Sequence, residues 1–275
     1  MIKSIEGLSD TEIINVIEKN LLEQIRYYGH SSKAGLIDNG NMMKFLTRIP
    51  LPFFNCVLFY NSNYKNLERQ IKNFIGYGRS KKTPLLWIIG PSSKPHNIGA
   101  LLEDNGFKYD DHMLSMAICI SDLKKDPQYI DGFKVEIVDS NKKLEKWVHA
   151  CLRGFDESGK NFSRIYEFER SLGCGKDRPW VRFTGIVDGE AIATSAVFMG
   201  SEAAGLDNVT TTPDWRKKGA GASMVLYALR FSQSLGYSTG VLQASDMGFN
   251  LYRRLGFKKY YEFKEYLWKY DSRDK

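Results

Sequence analysis

The sequence predicts a mixed α/β (α+β) protein built from two domains of similar size. Strand and helix patterns alternate along most of the 275 residues, which is not typical of an all-helical or all-strand fold. The pair Asp188-Gly189 separates two strand patterns and is a hairpin signal, so part of the sheet is expected to be antiparallel. Residues 101–108 and 251–258 share a pattern of short helix, Gly-Phe and strand, which suggests an internal duplication.

The first half of the chain is expected to begin with a helix over 10–28. Asp10 offers a cap, and Ile13, Ile17 and Leu21 recur at helical spacing on one face. Apolar runs of strand length and further helical periodicity predict the other elements of this half: strands at 54–60, 85–89 and 113–120, and helices at 64–75 and 97–104.

A linker is expected over 124–132, because this polar segment contains proline and glycine and separates two patterned regions. The expected domains are therefore 1–129 and 130–275. The same criteria predict the elements of the second half: strands at 133–138, 181–187, 191–199, 203–211, 239–244 and 258–268, and helices at 141–154, 220–235 and 247–255.

Composition excludes several classes of protein. Hydrophobic residues make up 43% of the chain and charged residues 26%, which is ordinary globular usage. The apolar runs are of strand length and too short to span a bilayer, so no membrane partner is expected. The net charge of +7 is spread over both halves, so nucleic acid is not an expected partner. The four cysteines and four histidines are scattered, which predicts neither a zinc site nor a disulfide framework and favours the cytoplasm.

One segment of the second half predicts an anion-binding turn. A strand pattern ends at Pro213, the basic residue Arg216 follows, and Gly219 and Gly221 precede an amphipathic helix. Amide groups at the start of a helix have no internal partners, and glycine lets a phosphate approach them. The turn is not a dinucleotide fingerprint, which would need glycine at Met224, and it lacks the Gly-Lys-Ser/Thr ending of a P-loop.

Residues 216–221, Arg-Lys-Lys-Gly-Ala-Gly, resemble the R/Q-x-x-G-x-G/A motif with which the GNAT superfamily of N-acetyltransferases binds acetyl-CoA. A second block, 243–257, resembles that family's C-terminal motif, in which a tyrosine (here Tyr252) precedes a Gly-Phe pair. The resemblance covers about residues 133–270. Residues 1–125 share with it only the short repeated pattern described above.

The resemblance implies tandem GNAT-like domains, each with a mixed, largely antiparallel sheet flanked by helices, of which the N-terminal one is degenerate. The splayed strand of the C-terminal domain would bind the pantetheine arm and the acetyl carbonyl through the backbone of Val209, Thr210 and Thr211. Main-chain N–H groups would hold the pyrophosphate at Arg216, Lys217, Lys218, Gly219, Ala220, Gly221 and Ala222. Ser245 replaces an asparagine that often contacts the pantetheine in this family.

The resemblance also assigns catalytic roles. Tyr252 stands where the family places the general acid that protonates the leaving CoA thiolate, and a phenol is protonated at neutral pH. Leu102 occupies that place in the N-terminal copy, which is therefore expected to be inactive. The general base is left open: Asp207 has the strand parity of Val209 and Thr211, and Asp156, Glu167 and Glu169 lie in the segment 155–179.

The function expected on this basis is direct transfer of the acetyl group of acetyl-CoA to a primary amine of a small molecule or peptide. Two alternatives follow from the same features. One is an aminoacyltransferase with tandem GNAT-like domains that uses aminoacyl-tRNA, against which the even charge argues. The other is a CoA-binding sensor without enzymatic activity.

Overall fold

The computed structural model describes residues 4–62, 64–123 and 130–271, so most of the expected linker at 124–132 lies outside the described residues. The helices are α1 Asp10–Tyr28, α2 Tyr64–Lys81, α3 Ile98–Asp104, α4 Asn141–Gly154, α5 Phe162–Ser171, α6 Ala220–Ser234 and α7 Asp246–Leu255. The strands are β1 Ala34–Asp38, β2 Met42–Thr47, β3 Asn55–Tyr60, β4 Leu85–Ile89, β5 Lys108–Cys119, β6 Lys134–Ile137, β7 Trp180–Val187, β8 Glu190–Met199, β9 Ala204–Thr211, β10 Thr239–Ala244 and β11 Lys258–Trp268. Within these ranges, no helix combines the length and the apolar character needed to cross a membrane.

The mixed, mostly antiparallel fold expected from the sequence is confirmed, although some of its elements differ from those expected. The strands β1 and β2 and the helix α5 were not expected. The helix α5 is short, and the side chain of Asn161 does not cap its first turn. The helix therefore lacks the capping residue that would mark its start in the sequence. The helix α2 continues through Gly76 and Gly78 to Lys81. Gly78 is required there, because a Cβ at this position would lie 2.7 Å from the side chains of Leu85 and Trp268.

The chain divides into two compact units whose bounds differ from the expected 1–129 and 130–275. Unit 1 comprises Met1–Gln24 and Leu114–Tyr260, and unit 2 comprises Ile25–Met113 and Tyr261–Lys275. Most of α1 and the second part of β5 therefore belong with the second half of the chain. The apolar face of α1 accounts for this, because Ile13 and Ile17 pack in one cluster with Ala117 and Val241.

Unit 1 contains a sheet with the strand order β5-β10-β9-β8-β7-β6. The pair β9–β10 is parallel, and the other neighbours are antiparallel. Helices α6 and α7 pack on one face, with a core that includes Met224, Leu229 and Leu255. The opposite face is covered by α1, through Ile17, and by α4, through Trp147, whose indole donates to Ser195 O at 3.3 Å.

Unit 2 contains the strand order β1-β2-β3-β4-β11. The pair β3–β4 is parallel, and the other neighbours are antiparallel. The helices α2 and α3 pack over an aromatic core in which Phe74, Trp87 and Phe107 have ring centroids 6.1–6.4 Å apart. Burying several aromatic rings together contributes a large share of the stability of a small unit.

The repeated sequence pattern corresponds to a repeated structure. Strand, helix, parallel strand, helix and strand follow one another both in β3–α2–β4–α3–β5 and in β9–α6–β10–α7–β11. The ends of α3 and α7 make the same hydrogen bond: Phe107 N donates to Leu102 O at 3.0 Å, and Phe257 N donates to Tyr252 O at 3.1 Å. Leu102 therefore occupies in unit 2 the position that Tyr252 occupies in unit 1.

Candidate active site

The strand β9 runs on beyond its parallel neighbour β10. Their pairing ends at Leu206 on β9, whereas β9 continues to Thr211. On its other edge β9 stays paired with β8, but a bulge shifts the register there, and Asn208 takes a left-handed conformation with φ of 49°. Bulges bend a strand and increase its twist. The splayed strand expected from the sequence is confirmed, and a gap opens beside residues 207–211.

The turn between β9 and α6 presents main-chain donors. Lys217 and Gly219 both have positive φ, 63° and 96°, so the chain reverses sharply just before the helix. The first hydrogen bond of α6 runs from Ser223 N to Gly219 O at 3.1 Å. Within the described residues, the amides of residues 219–222 donate to no protein acceptor. Such amides lie at the positive end of the helix dipole and can bind an anion.

The basic side chains of this turn make contacts of their own. The guanidinium of Arg216 donates to Gly154 O at 3.0 Å and to Asp156 Oδ2 at 2.8 Å, so it fixes the turn to the end of α4. The ammonium of Lys218 lies 4.8 Å from the ring centroid of Trp215, a cation–π distance. The groups available to bind an anionic ligand are therefore the main-chain amides of the turn and the exposed side chain of Lys217.

Tyr252 lies on α7 with a buried ring and a hydroxyl that makes no hydrogen bond within the described residues. The start of α7 is fixed by Ser245, whose hydroxyl accepts from Gly248 N at 3.4 Å. Gly248 leaves room for the ring, because a Cβ there would lie 2.9 Å from it. Burial, with a smaller contribution from the charge of Asp207, raises the pKa of Tyr252 above its usual 10. The phenol is therefore protonated throughout the neutral range.

Asp207 is the first residue of β9 beyond the segment that pairs with β10. Its carboxylate accepts from Gln24 Nε2 at 2.6 Å and from Asn208 N at 2.6 Å. Its charge contributes to the raised pKa of Tyr252 and, less than burial and Glu169 do, to that of the buried Cys151 thiol. The two side chains that the sequence nominates for acid and base, Tyr252 and Asp207, are thus near enough for the charge of Asp207 to act on the pKa of Tyr252.

Residues 142–257, which contain the turn and α7, match the model of the Acetyltransferase (GNAT) family. This part of the chain is a GNAT domain. No curated protein sequence matches the chain.

Solved structures extend the likeness to most of the chain. A GCN5-related N-acetyltransferase from Kribbella flavida is 15% identical, with 92% of this chain and 96% of that chain covered and a TM-score of 0.68. A tandem GNAT protein from the clavulanic acid biosynthesis pathway is 10% identical, with 96% of each chain covered and a TM-score of 0.58. A GCN5-related N-acetyltransferase from Sphaerobacter thermophilus is 13% identical, with 84% and 81% covered and a TM-score of 0.57. At these identities the likeness shows the fold, which is that of a tandem GNAT protein.

Three further carboxylates of the GNAT domain, considered above as alternative bases, are engaged in ion pairs. The pairs are Glu167–Arg170 at 2.7 Å, Asp156–Arg216 at 2.8 Å and Glu169–Arg182 at 2.6 Å. Glu169 is also buried. Of the four carboxylates considered as the base, Asp207 is the one that lies on the splayed strand β9.

The GNAT domain also receives polar side chains from α1, outside the residues that match the family, and sequence reasoning did not identify them. Asn20 Nδ2 donates to Ala203 O at 2.8 Å, and Glu23 accepts from Ser201 N at 2.8 Å. Together with Gln24, these side chains connect α1 to the β8–β9 hairpin and to Asp207. One sequence signal points to them: Asn20 and Gln24 are polar, four residues apart, and lie beside the apolar face of a helix.

Proposed function

We propose that this chain transfers the acetyl group of acetyl-CoA to a primary amine of a small molecule or peptide. The observation that carries the proposal is the coincidence, within one GNAT domain, of a splayed strand, a turn with unbonded helix amides and the pair Asp207 and Tyr252. Each feature supplies one requirement of acyl transfer: a place for an extended thioester, a site for its phosphates, and groups that move protons.

The main chain of the site fits acetyl-CoA. The amides of residues 219–222 and the exposed side chain of Lys217 would hold the pyrophosphate, since helix amides and cations both stabilise it. The residues Val209, Thr210 and Thr211 lie beyond the pairing with β10, so their edge of the strand would bind the pantetheine arm. Arg216 would act by fixing the turn to α4, and Ser245 by capping α7.

The side chains supply acid–base chemistry. Acetyl-CoA supplies the acetyl thioester. Asp207 would take the proton of the incoming ammonium group, so that the neutral nitrogen bonds to the carbonyl carbon as the C–S bond breaks. Tyr252 would donate its proton to the departing sulfur and regain one from the acylated nitrogen, which leaves a neutral amide and a free thiol. This role requires a protonated phenol at neutral pH. The raised pKa of Tyr252 meets this requirement.

Unit 2 lacks the tyrosine and the glycine-containing turn of unit 1, and we propose that it does not catalyse the reaction. Leu102 takes the place of the tyrosine, and no glycine lies between β3 and α2. The end of β3 is also occupied by unit 2 itself, because Lys94 N donates to Tyr60 O at 2.7 Å. The segment after β4 thereby fills the edge that stays open beside β9 in unit 1.

We also propose a cytoplasmic location. The cysteines are all free thiols: Cys56, Cys119, Cys151 and Cys174. Free thiols are typical of a reducing compartment.

Replacing Gly219 with alanine tests the turn. A Cβ at φ of 96° strains the turn by about 1–2 kcal/mol and displaces the helix amides, so we expect the affinity for acetyl-CoA to fall at least about tenfold. Calorimetric titration with acetyl-CoA measures this loss directly.

Gly189→Ala is the matched control for this experiment. Gly189 has φ of 83° in the β7–β8 hairpin, and a Cβ there meets no atom within 4 Å. The control strains the backbone similarly and should leave the affinity for acetyl-CoA unchanged. Equal affinities in the wild type and the Gly219→Ala variant would refute the assignment of this turn to the pyrophosphate.

A further inference from the structure

Three polar side chains of neighbouring strands form a row on one face of the unit 1 sheet. The antiparallel register pairs Ser115 of β5 with Gln243 of β10, so both side chains lie on the same face. Leu206 of β9 pairs with Leu242 of β10, and the next residues along the two parallel strands, Asp207 and Gln243, therefore share that face as well. We name Ser115, Gln243 and Asp207 the polar row.

The polar row contains hydrogen-bonding groups that the protein does not satisfy. Ser115 is 0% exposed, and its hydroxyl has no hydrogen-bond partner. Gln243 is half-buried, and in the described part of the chain its side-chain amide makes no hydrogen bond. Buried polar groups are nearly always paired, and leaving one unpaired is costly. A buried hydroxyl beside an amide, both without partners, indicates a place for a ligand that supplies the missing bonds.

The polar row also lies where the packing of α1 on the sheet changes character. One step further along β5 and β10 on the same face, the residues are Ala117 and Val241, which pack with Ile17 of α1. Near Asp207 the contact with α1 is instead the hydrogen bond from Gln24. Paired neighbouring strands are about 5 Å apart, which is the spacing between Ser115 and Gln243. Asp207 continues the row on β9, just beyond the last residue that pairs with β10.

We infer that the polar row is the acceptor subsite and that it selects small amines with a neutral hydrogen-bonding group, a hydroxyl or an amide, a few bonds from the amino group. The inference rests on the proposed function, since Asp207 is the carboxylate that would receive the proton of that amine. With the amino group at Asp207, the neutral group of the acceptor reaches Gln243 and then Ser115. A simple alkylamine would leave both unpaired, and sites built for hydrogen bonds discriminate strongly against such analogues.

Isosteric pairs of amines test this inference on the full chain with acetyl-CoA. The pairs are 2-amino-1,3-propanediol with 3-aminopentane, and ethanolamine with propylamine, in which methyl groups replace hydroxyls. We expect the wild type to favour the hydroxylated member in kcat/KM by more than about tenfold. Ser115→Ala and Gln243→Leu should each lower this ratio by about tenfold. Taking the ratio removes differences in the amount of folded enzyme.

Thr184→Val is the matched control. Thr184, on β7, also has a buried hydroxyl without a partner, so its removal should leave the ratio unchanged. Turnover of the alkyl members alone, or equal ratios in the wild type and the two row variants, overturns the inference and leaves the proposed acetyltransferase intact. Binding of acetyl-CoA without turnover of any amine overturns both.

Discussion

Replacing Tyr252 with phenylalanine lowers kcat for acetyl transfer by about 10²–10⁴-fold, the usual contribution of a general acid, while the affinity for acetyl-CoA holds. The hydroxyl is the single group removed, and it makes no hydrogen bond within the described residues. Its loss therefore leaves no protein partner unsatisfied. The ring keeps its edge-to-face contact with Phe257, at a centroid distance of 5.8 Å. The change should thus affect proton donation and not folding.

The pH dependence follows from the direction of the pKa shift. Burial and the charge of Asp207 raise the pKa of Tyr252 above 10, so the protonated form persists as pH rises through the neutral and mildly alkaline range. We expect no decline in kcat attributable to this phenol below about pH 10. A wild-type profile that falls between pH 7 and 9, with the fall absent in the Tyr252→Phe variant, would contradict the assignment.

The control for this prediction is Tyr227→Phe, which removes an exposed phenol hydroxyl from α6 and should leave kcat unchanged. Single-turnover acetylation and calorimetric titration with acetyl-CoA together separate chemistry from binding. A Tyr252→Phe variant with unaltered kcat would remove Tyr252 from the mechanism. A wild type that binds acetyl-CoA and acetylates no amine would instead favour the sensor.

The local structure around the turn could be predicted from the sequence because its signals are local. Periodicity and a terminal glycine predict α6 as 220–235, and the helix covers Ala220–Ser234. The pattern of a short helix followed by Gly-Phe locates Tyr252 at the end of α7, where the observed hydrogen bond from Phe257 N holds the same motif in place. Both features depend on the backbone conformation of a few neighbouring residues, and the types of those residues predict that conformation.

The surroundings of the site could not be predicted, because they depend on contacts between distant residues. Gln24 and Asp207 are 183 positions apart, and no spacing rule connects them. The pairing of Ser115 with Gln243 similarly depends on β5 entering the sheet beside β10. Arg216 shows the same limit: its position in the motif is local, but its guanidinium lies at Asp156, 60 residues away.

A buried ion pair fixes α5 to the sheet of unit 1. Arg182 of β7 and Glu169 of α5 are each almost fully buried, and Arg182 Nε donates to Glu169 Oε2 at 2.7 Å. The guanidinium also donates to Gly173 O at 2.8 Å, and Trp180 Nε1 donates to Glu169 Oε2 at 3.1 Å. The pair thus holds the carboxyl end of α5 and the segment after it.

Replacing Arg182 with methionine destabilises the chain by about 3–5 kcal/mol, because it leaves the buried carboxylate of Glu169 without its counter-charge. Exchanging both residues for apolar ones, Arg182→Met with Glu169→Leu, removes the unpaired charge and should recover much of that loss, since buried ion pairs often contribute little net stability over apolar packing. Urea denaturation of the wild type, both single variants and the double variant measures the coupling. The surface pair Arg170–Glu167 provides the comparison, because breaking an exposed pair costs about 0–1 kcal/mol. A double variant that is no more stable than Arg182→Met would mean that the guanidinium acts mainly through its bonds to Gly173 and the main chain of α5, and not through the charge of Glu169.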